Sequence, residues 1–377
     1  MILAAGLAAA TAISAQNSDE LNHLQFHGFA VQAFLVSSHN NYLAMDTRNG
    51  SAGWTEAALN VNDQVTDKLR VGIQIHYTRL GAFGGDAPTV DWAAGDYTFN
   101  EYLGIRAGKV KIRWGLYNDT QDYDPGYLWS LLPEPIYAVD WRATNLAQNG
   151  VEVYGKVPLG EVSKLQFSAY YGNYTDASND GYAENYLEEG VIFTSNPAGR
   201  TPGGDLRWTT PWRGLTIGAS LMTYNASGTM ANGTYRQPTA FWPAYYAKYD
   251  YKNLFLSGQY TRLVEYDISA VTSETPSIDG SDTRAWFAMG GYHLTPKLQV
   301  GAYYTHDLDA SGGDSSDPAN YAWDWVASGR YDLNANFYLK LEGHFIGGEA
   351  MGLYGFNNPN GLTRRTNLGV AKLGFTF

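Results

Sequence analysis

The feature that most constrains this chain is a period-two alternation of apolar and polar residues, repeated in short segments along most of its length. In 69–78, Leu69, Val71, Ile73, Ile75 and Tyr77 share one face; Arg70, Gly72, Gln74, His76 and Thr78 share the other. In 337–345, Phe337, Leu339, Leu341, Gly343 and Phe345 oppose Tyr338, Lys340, Glu342 and His344. Segments 165–171, 215–221 and 298–305 repeat the pattern. Side chains alternate across a strand, so each segment reads as a β-strand whose two faces meet different media.

The connections decide which media. Short turns such as Thr66-Asp67-Lys68, Asn100-Glu101, Tyr251-Lys252-Asn253 and Thr295-Pro296-Lys297 alternate with long polar stretches near 36–50, 80–89, 115–147, 174–203, 225–238, 266–282, 308–319 and 347–366. Short turns on one rim and long loops on the other are the pattern of a barrel through a membrane. Aromatic residues crowd the strand ends beside the short turns: Phe99 and Tyr102, Trp208 and Trp212, Tyr331 and Phe337. That is the expected trace of an interfacial girdle. The chain has 377 residues, no cysteine and only 16% charged residues, yet its mean hydropathy is negative. Strands with one wet face reconcile those figures. Outside the first residues no segment offers about 18 consecutive apolar residues, so no transmembrane helix is expected.

The expectation is all-β: a transmembrane antiparallel barrel of about 16 strands, with starts near 24, 51, 69, 89, 102, 149, 164, 204, 214, 239, 253, 284, 297, 320, 336 and 367. The alternation slips at Gly28, Gly95 and Gly108, which reads as three bulges. Residues 1–15, rich in alanine and leucine, read as a secretory signal with cleavage after Ala15 or Ala12. A basic n-region is missing, which leaves room for a start upstream. Residues 16–377 read as a single barrel domain. Arginine placed at Ile73 or Leu339 should meet lipid, and at Gln74 or Lys340 should meet water.

The end of the chain, Lys372-Leu373-Gly374-Phe375-Thr376-Phe377, resembles the C-terminal assembly signal of Gram-negative outer-membrane barrels. The segment Gly108-Lys109-Val110-Lys111-Ile112-Arg113-Trp114-Gly115-Leu116-Tyr117-Asn118-Asp119 resembles the fifth strand of the 16-stranded trimeric porins running into their third loop. The resemblance implies an outer-membrane location, a homotrimer, and a third loop, here about 115–147, that folds into the pore and narrows it. It also implies a water-filled channel for ions and small hydrophilic solutes, with membrane lipid and lipopolysaccharide around it.

Charged residues supply the candidate site. Past the slip at Gly108, Val110, Ile112 and Trp114 are expected to face lipid, and Lys109, Lys111 and Arg113 the lumen, with Arg106 and Arg70 beside them. The following loop carries Asp119, Asp122, Asp124, Glu134 and Asp140. Folded inward, those acids would face a basic wall, and opposed charges in a narrow passage orient polar solutes and set ion preference. His76 and Lys340 fall on the lumen face too. Tyr117, Tyr123, Tyr127 and Trp129 are read as packing the loop against the wall.

Other chemistry is sparse. Asp307, Asp309 and Asp314 match the start of a calcium loop, but Pro318 stands where its bidentate glutamate belongs, so no metal is assigned. There is no H-E-x-x-H, no G-x-S-x-G and no phosphate-cradling glycine loop, so neither an enzyme nor a cofactor is expected. A net charge of −12 argues against nucleic acid. The alternative to a channel is a barrel whose receptor, adhesion or enzymatic role lies in its long outer loops.

Overall fold

The computed structural model describes residues 23–85, 87–176, 180–188, 190–271 and 277–377. The segment expected to be a secretory signal, residues 1–15, lies outside them. Among the described residues sixteen strands form one closed antiparallel sheet. They are β1 (Leu24–Ser37), β2 (Ser51–Gln64), β3 (Leu69–Leu80), β4 (Thr89–Asn100), β5 (Leu103–Lys111), β6 (Ala147–Pro158), β7 (Lys164–Thr175), and β8, which is Phe193–Arg200 and Gly203–Thr209 joined across Pro202. Then follow β9 (Leu215–Met230), β10 (Gly233–Tyr251), β11 (Leu254–Val271), β12 (Ser277–His293), β13 (Leu298–Asp309), β14 (Tyr321–Asp332), β15 (Phe337–Gly348) and β16 (Arg365–Thr376).

Each strand pairs with its sequence neighbours, and β1 closes the ring on β16 from Phe29↔Thr376 to Ser37↔Leu368. The terminal residue completes the seam: Phe377 and Gly28 exchange backbone hydrogen bonds of 3.0 and 3.1 Å. Closure leaves no sheet edge, the condition for strands in hydrocarbon, where an unpaired backbone group costs several kcal/mol.

The faces are inverted relative to a water-soluble protein. On β15, Phe337, Leu341 and Phe345 are exposed, while Tyr338, Lys340, Glu342 and His344 are buried. The outward apolar residues meet lipid, and the polar residues are enclosed by the barrel.

The expected strand starts fall within two residues of those found, except at the eighth, tenth and twelfth strands. There β8 begins at Phe193, β10 at Gly233 and β12 at Ser277. The polar stretches near 225–238 and 266–282 are therefore largely strand and not loop. A hairpin that rises above the membrane has water on both sides and needs no apolar face, so alternation is silent about it.

The three glycines are not the bulges expected. The ladder runs unbroken through Gly28↔Leu59, Gly95↔Ala107 and Gly108↔Gly150. Gly28 instead makes room for Phe377, whose ring lies 2.6 Å from where a Cβ would stand. Gly108 alone of the three has a left-handed φ, +128°. The bulge in this region is at Asp91, where Gln74 pairs with Trp92 but Ile75 pairs with Val90.

Arginine at Ile73 or Leu339, which face outward near mid-barrel, should cost roughly 2–4 kcal/mol. Gln74 and Lys340 are not the tolerant controls expected from the sequence, because both are buried and bonded. Ala94, which lines an open cavity, is the proper control. Urea titrations in vesicles should show Ile73→Arg destabilised and Ala94→Arg near wild type; equal losses would refute this assignment of faces.

Candidate functional site

After Lys111 the chain leaves the wall and runs inside the barrel until Leu146, before β6. This third loop cannot expose its backbone inside the barrel without partners, and the inner wall supplies them. Ser220 Oγ accepts from the Gly115 amide at 2.7 Å, and Gln259 Oε1 from the Leu116 amide at 2.9 Å. Glu342 accepts from the amides of Ser130 and Leu131, both at 3.0 Å. Lys340 Nζ donates to the carbonyls of Asp124 and Trp129, both at 2.9 Å, and Lys372 Nζ to the Ser130 carbonyl at 2.8 Å.

Apolar packing holds the same side. Trp114, Leu116, Leu128, Trp129, Ile136 and Tyr137 join Trp242, Phe287 and Tyr303 of the wall in one buried cluster. The Trp114 indole donates to the Trp242 carbonyl at 2.7 Å. Ile112 and Trp114 therefore do not face lipid as the alternation suggested; they are 2% and 1% exposed inside the barrel. Val110 is buried as well. The pattern misleads there because the medium on the inner side is the loop's own core, not water.

Tyr117 stacks on Phe287 with centroids 6.1 Å apart, and Trp129 meets Tyr303 edge-on at 5.0 Å. The loop is thus packed chiefly against the β9–β16 side, with Asp122 and Arg142 tying it also to Gln74, His76 and Asp91 of β3 and β4. The β2–β6 side stays open as a cavity of about 580 Å³.

That cavity gathers Arg70, Arg106, Lys109, Lys111, Arg113, Asp119 and Asp122 from the sequence-derived set. It adds Asp96, Glu152 and Trp92, which the sequence reading missed, and Tyr123, which was expected only to pack the loop against the wall. Register explains the additions. Arg70, Asp96, Arg106 and Glu152 are successive cross-strand partners on one inward row, so their charges alternate. Arg106 bonds Asp96 and Glu152, each at 2.9 Å. The signal was present as strand parity, but using it required knowing which residues lie opposite one another.

Above the row, Lys111 pairs with Asp122 at 2.6 Å and Arg113 with Asp119 at 3.3 Å; Arg207 also reaches Asp119 at 3.4 Å. Among the described residues Arg70 makes no ion pair, and Lys109 bonds only the Val90 carbonyl, at 2.7 Å.

The remaining candidates lie away from this cavity. Asp124 is buried between Lys340 and Lys372 at 3.0 and 2.9 Å and accepts from the Tyr338 hydroxyl at 2.6 Å. His76 is buried: its Nε2 donates to Glu56 at 2.9 Å, and its Nδ1 accepts from Arg142 at 3.2 Å, which in turn holds Asp91. Glu134 and Asp140 are covered, Asp140 accepting from the Tyr354 hydroxyl. These groups anchor the loops rather than line water. Asp307, Asp309 and Asp314 do not converge: Asp307 faces inward on β13, while Asp309 and Asp314 each accept from a serine two residues on. No group of metal-ligating side chains occurs among the described residues.

At the outer end a short helix, Gly181–Glu188, is capped by Asp180, which accepts from the amides of Tyr182 and Ala183, both at 3.1 Å. Burial, with the charge of Asp180 and then of Glu265 and Asp267 beside it, pushes the Asp176 carboxyl up to about 8, and burial pushes Asp180 up to about 7.

No family model matches the chain, and no curated protein sequence does either. Solved structures share the fold at low identity. OmpT, an outer membrane protein of Vibrio cholerae, in its trimer form is 12% identical with a TM-score of 0.57, covering 94% of this chain and 99% of that one. The outer membrane channel DcaP of Acinetobacter baumannii is 13% identical with a TM-score of 0.56, covering 94% and 97%. The anion-selective porin from Comamonas acidovorans is 12% identical with a TM-score of 0.53, covering 94% and 99%. This chain has the fold of the 16-stranded porin-like barrels of Gram-negative outer membranes.

Two outcomes follow from the site. Removing one partner of a buried ion pair leaves a stranded charge and costs roughly 3–5 kcal/mol. Asp124→Asn, which leaves Lys340 and Lys372 buried together with no carboxylate between them, should therefore lower the thermal stability of the folded barrel and loosen the third loop, seen as faster amide exchange in 124–131. For the acids, the sign is set by raised values: an unfolded aspartate titrates near about 3.9, so the folded loop favours the protonated form. Its stability is full at acidic pH and falls as pH rises through the folded values of about 7 and 8. Amide exchange in 181–188, corrected for intrinsic rates, should be slower at about pH 5 than at about pH 8.

Proposed function

We propose that this protein is an outer-membrane porin: a water-filled channel for passive diffusion of ions and small hydrophilic solutes, working as a homotrimer and not as an enzyme. The observation that carries the reading is the open cavity on the β2–β6 side, walled by charge of both signs while the loop is clamped to the opposite side. Such a passage offers a solute a transverse field in a confined space. The trimeric form of the Vibrio cholerae barrel and the channels among the similar structures support the assembly and the class.

Selectivity follows from the groups at the passage. The chain's excess of acid suggests a tilt toward cations, but screening shortens the reach of exposed charges to roughly 8–10 Å. At the cavity itself five basic side chains, Arg70, Arg106, Lys109, Lys111 and Arg113, meet four carboxylates, Asp96, Asp119, Asp122 and Glu152. Weak selectivity with a slight lean to anions fits that wall.

Planar-bilayer recording tests this. Wild type should give stable ohmic steps and a small reversal potential in asymmetric salt. Lys109→Gln with Arg70→Gln should move it toward cations, and Asp119→Asn with Asp122→Asn toward anions. No conductance would refute the channel and favour a role in the outer loops; conductance with no shift in either variant would refute this passage.

A further inference from the structure

Three charged side chains stand on the lipid-facing side of the barrel, where the neighbouring outward positions are apolar or aromatic. On β11 the even-numbered residues point outward: Leu256 and Tyr260 are exposed, whereas Gln259 and Thr261 are buried inside. Arg262 belongs to the outward set. On β12, Trp286 is exposed and Ala285 and Phe287 are buried, so Arg284 and Asp282 point outward too. Arg262 lies directly opposite Arg284 in the ladder.

Like charges placed opposite one another repel. Asp282 relieves this by bridging both: Arg262 Nε and Nη2 reach it at 2.6 and 2.8 Å, and Arg284 Nη2 at 2.8 Å. One carboxylate cannot neutralise two guanidinium groups. The cluster keeps a net positive charge, and neither Nη1 has a partner among the described residues. Both arginines are well exposed, at 46% and 44%.

Height fixes what they meet. One outward step below them is an aromatic belt in which Tyr260 opposes Trp286, and Trp286 meets Tyr304 at 5.2 Å. Such belts sit at the level of lipid headgroups. Two residues advance a strand by roughly 7 Å, so the guanidinium groups reach the plane of the phosphates. Below the belt Gly258 opposes Ala288 and Gly290 opposes Ala302, with the exposed Leu256 side chain lying over Gly290. Above the arginines, Tyr266 is exposed on the rising hairpin.

We propose that Arg262 and Arg284 form a binding site on the outer wall for the phosphate of an anionic outer-leaflet glycolipid. The forked guanidinium groups hold the phosphate through paired hydrogen bonds. Acyl chains lie over the apolar strip of Leu256, Gly258, Ala288 and Ala302, and Tyr266 meets the sugar.

The test uses the full-length protein in detergent, titrated with a bis-phosphorylated, acylated glucosamine disaccharide or with its dephosphorylated counterpart, and read by native mass spectrometry. Wild type should retain the phosphorylated lipid at least about tenfold more tightly than the dephosphorylated one. R262Q/R284Q should lose that preference while keeping its β spectrum and channel steps. D282N is the discriminating variant. If the arginines serve only their own ion pairs, removing the carboxylate leaves lipid binding unchanged or weaker; if they serve a phosphate, binding tightens. Equal binding of the two lipids by wild type overturns the proposal, and that comparison needs no variant. A double variant that loses its oligomeric state and not its lipid also overturns it, because the surface then belongs to a second copy of the chain.

Discussion

Backbone hydrogen bonding governs this molecule. A strand in hydrocarbon must give every amide and carbonyl to a neighbouring strand, and only a closed ring does so for all of them. The seam between β1 and β16, completed by the backbone of Phe377 against Gly28, is therefore the contact on which the rest depends. Once the ring is closed, there are two environments. Apolar side chains take the outside, and each charged residue on the spanning part of a strand is directed to the lumen or must find a reason to be elsewhere.

The same accounting shapes the interior. A loop that enters a barrel carries amides and carbonyls that need partners as much as those of the wall do. The third loop finds most of them on one side, from Ser220, Gln259, Lys340, Glu342 and Lys372, while Lys111 takes the Asp119 carbonyl from the other. Its tryptophans and tyrosines fill the space between. Asp124 bridges two buried lysines, whose remaining donors are taken up by the carbonyls of Asp124, Trp129 and Ser130. The position of the open cavity follows: it lies along β2 to β6, opposite the clamp, beside the basic residues of β3 and β5. Function at this site is the remainder left by packing elsewhere.

Legibility in the sequence tracked the medium on each face. Where a strand had lipid outside and water or polar groups inside, as at Leu69–Tyr77 and Phe337–Phe345, alternation placed the faces correctly. It failed in two circumstances. On β1, Phe29, Val31, Ala33 and Leu35 turn inward against the loops, so the apparent slip at Gly28 is a change of interior and not of backbone. On the tall hairpins β9–β10 and β11–β12, both faces above the membrane meet water, and polar strand was mistaken for loop.

What the sequence by itself determined was the class of architecture: a period-two pattern and the alternation of short turns with longer stretches point to a barrel of about sixteen strands, because each is a local consequence of strand geometry at a membrane. It also named most of the charged groups at the cavity, since a basic strand followed by an acidic loop is visible as a run of residues. Only the tertiary structure decided how they divide. Asp119 and Asp122 face the passage, whereas Asp124, two residues on, is sealed against Lys340 and Lys372, more than two hundred residues away in the chain. Asp96 and Glu152 become the partners of Arg106 through ladder register. Burial and pairing are properties of what lies opposite, and opposition across a closed sheet is set by the whole ring at once.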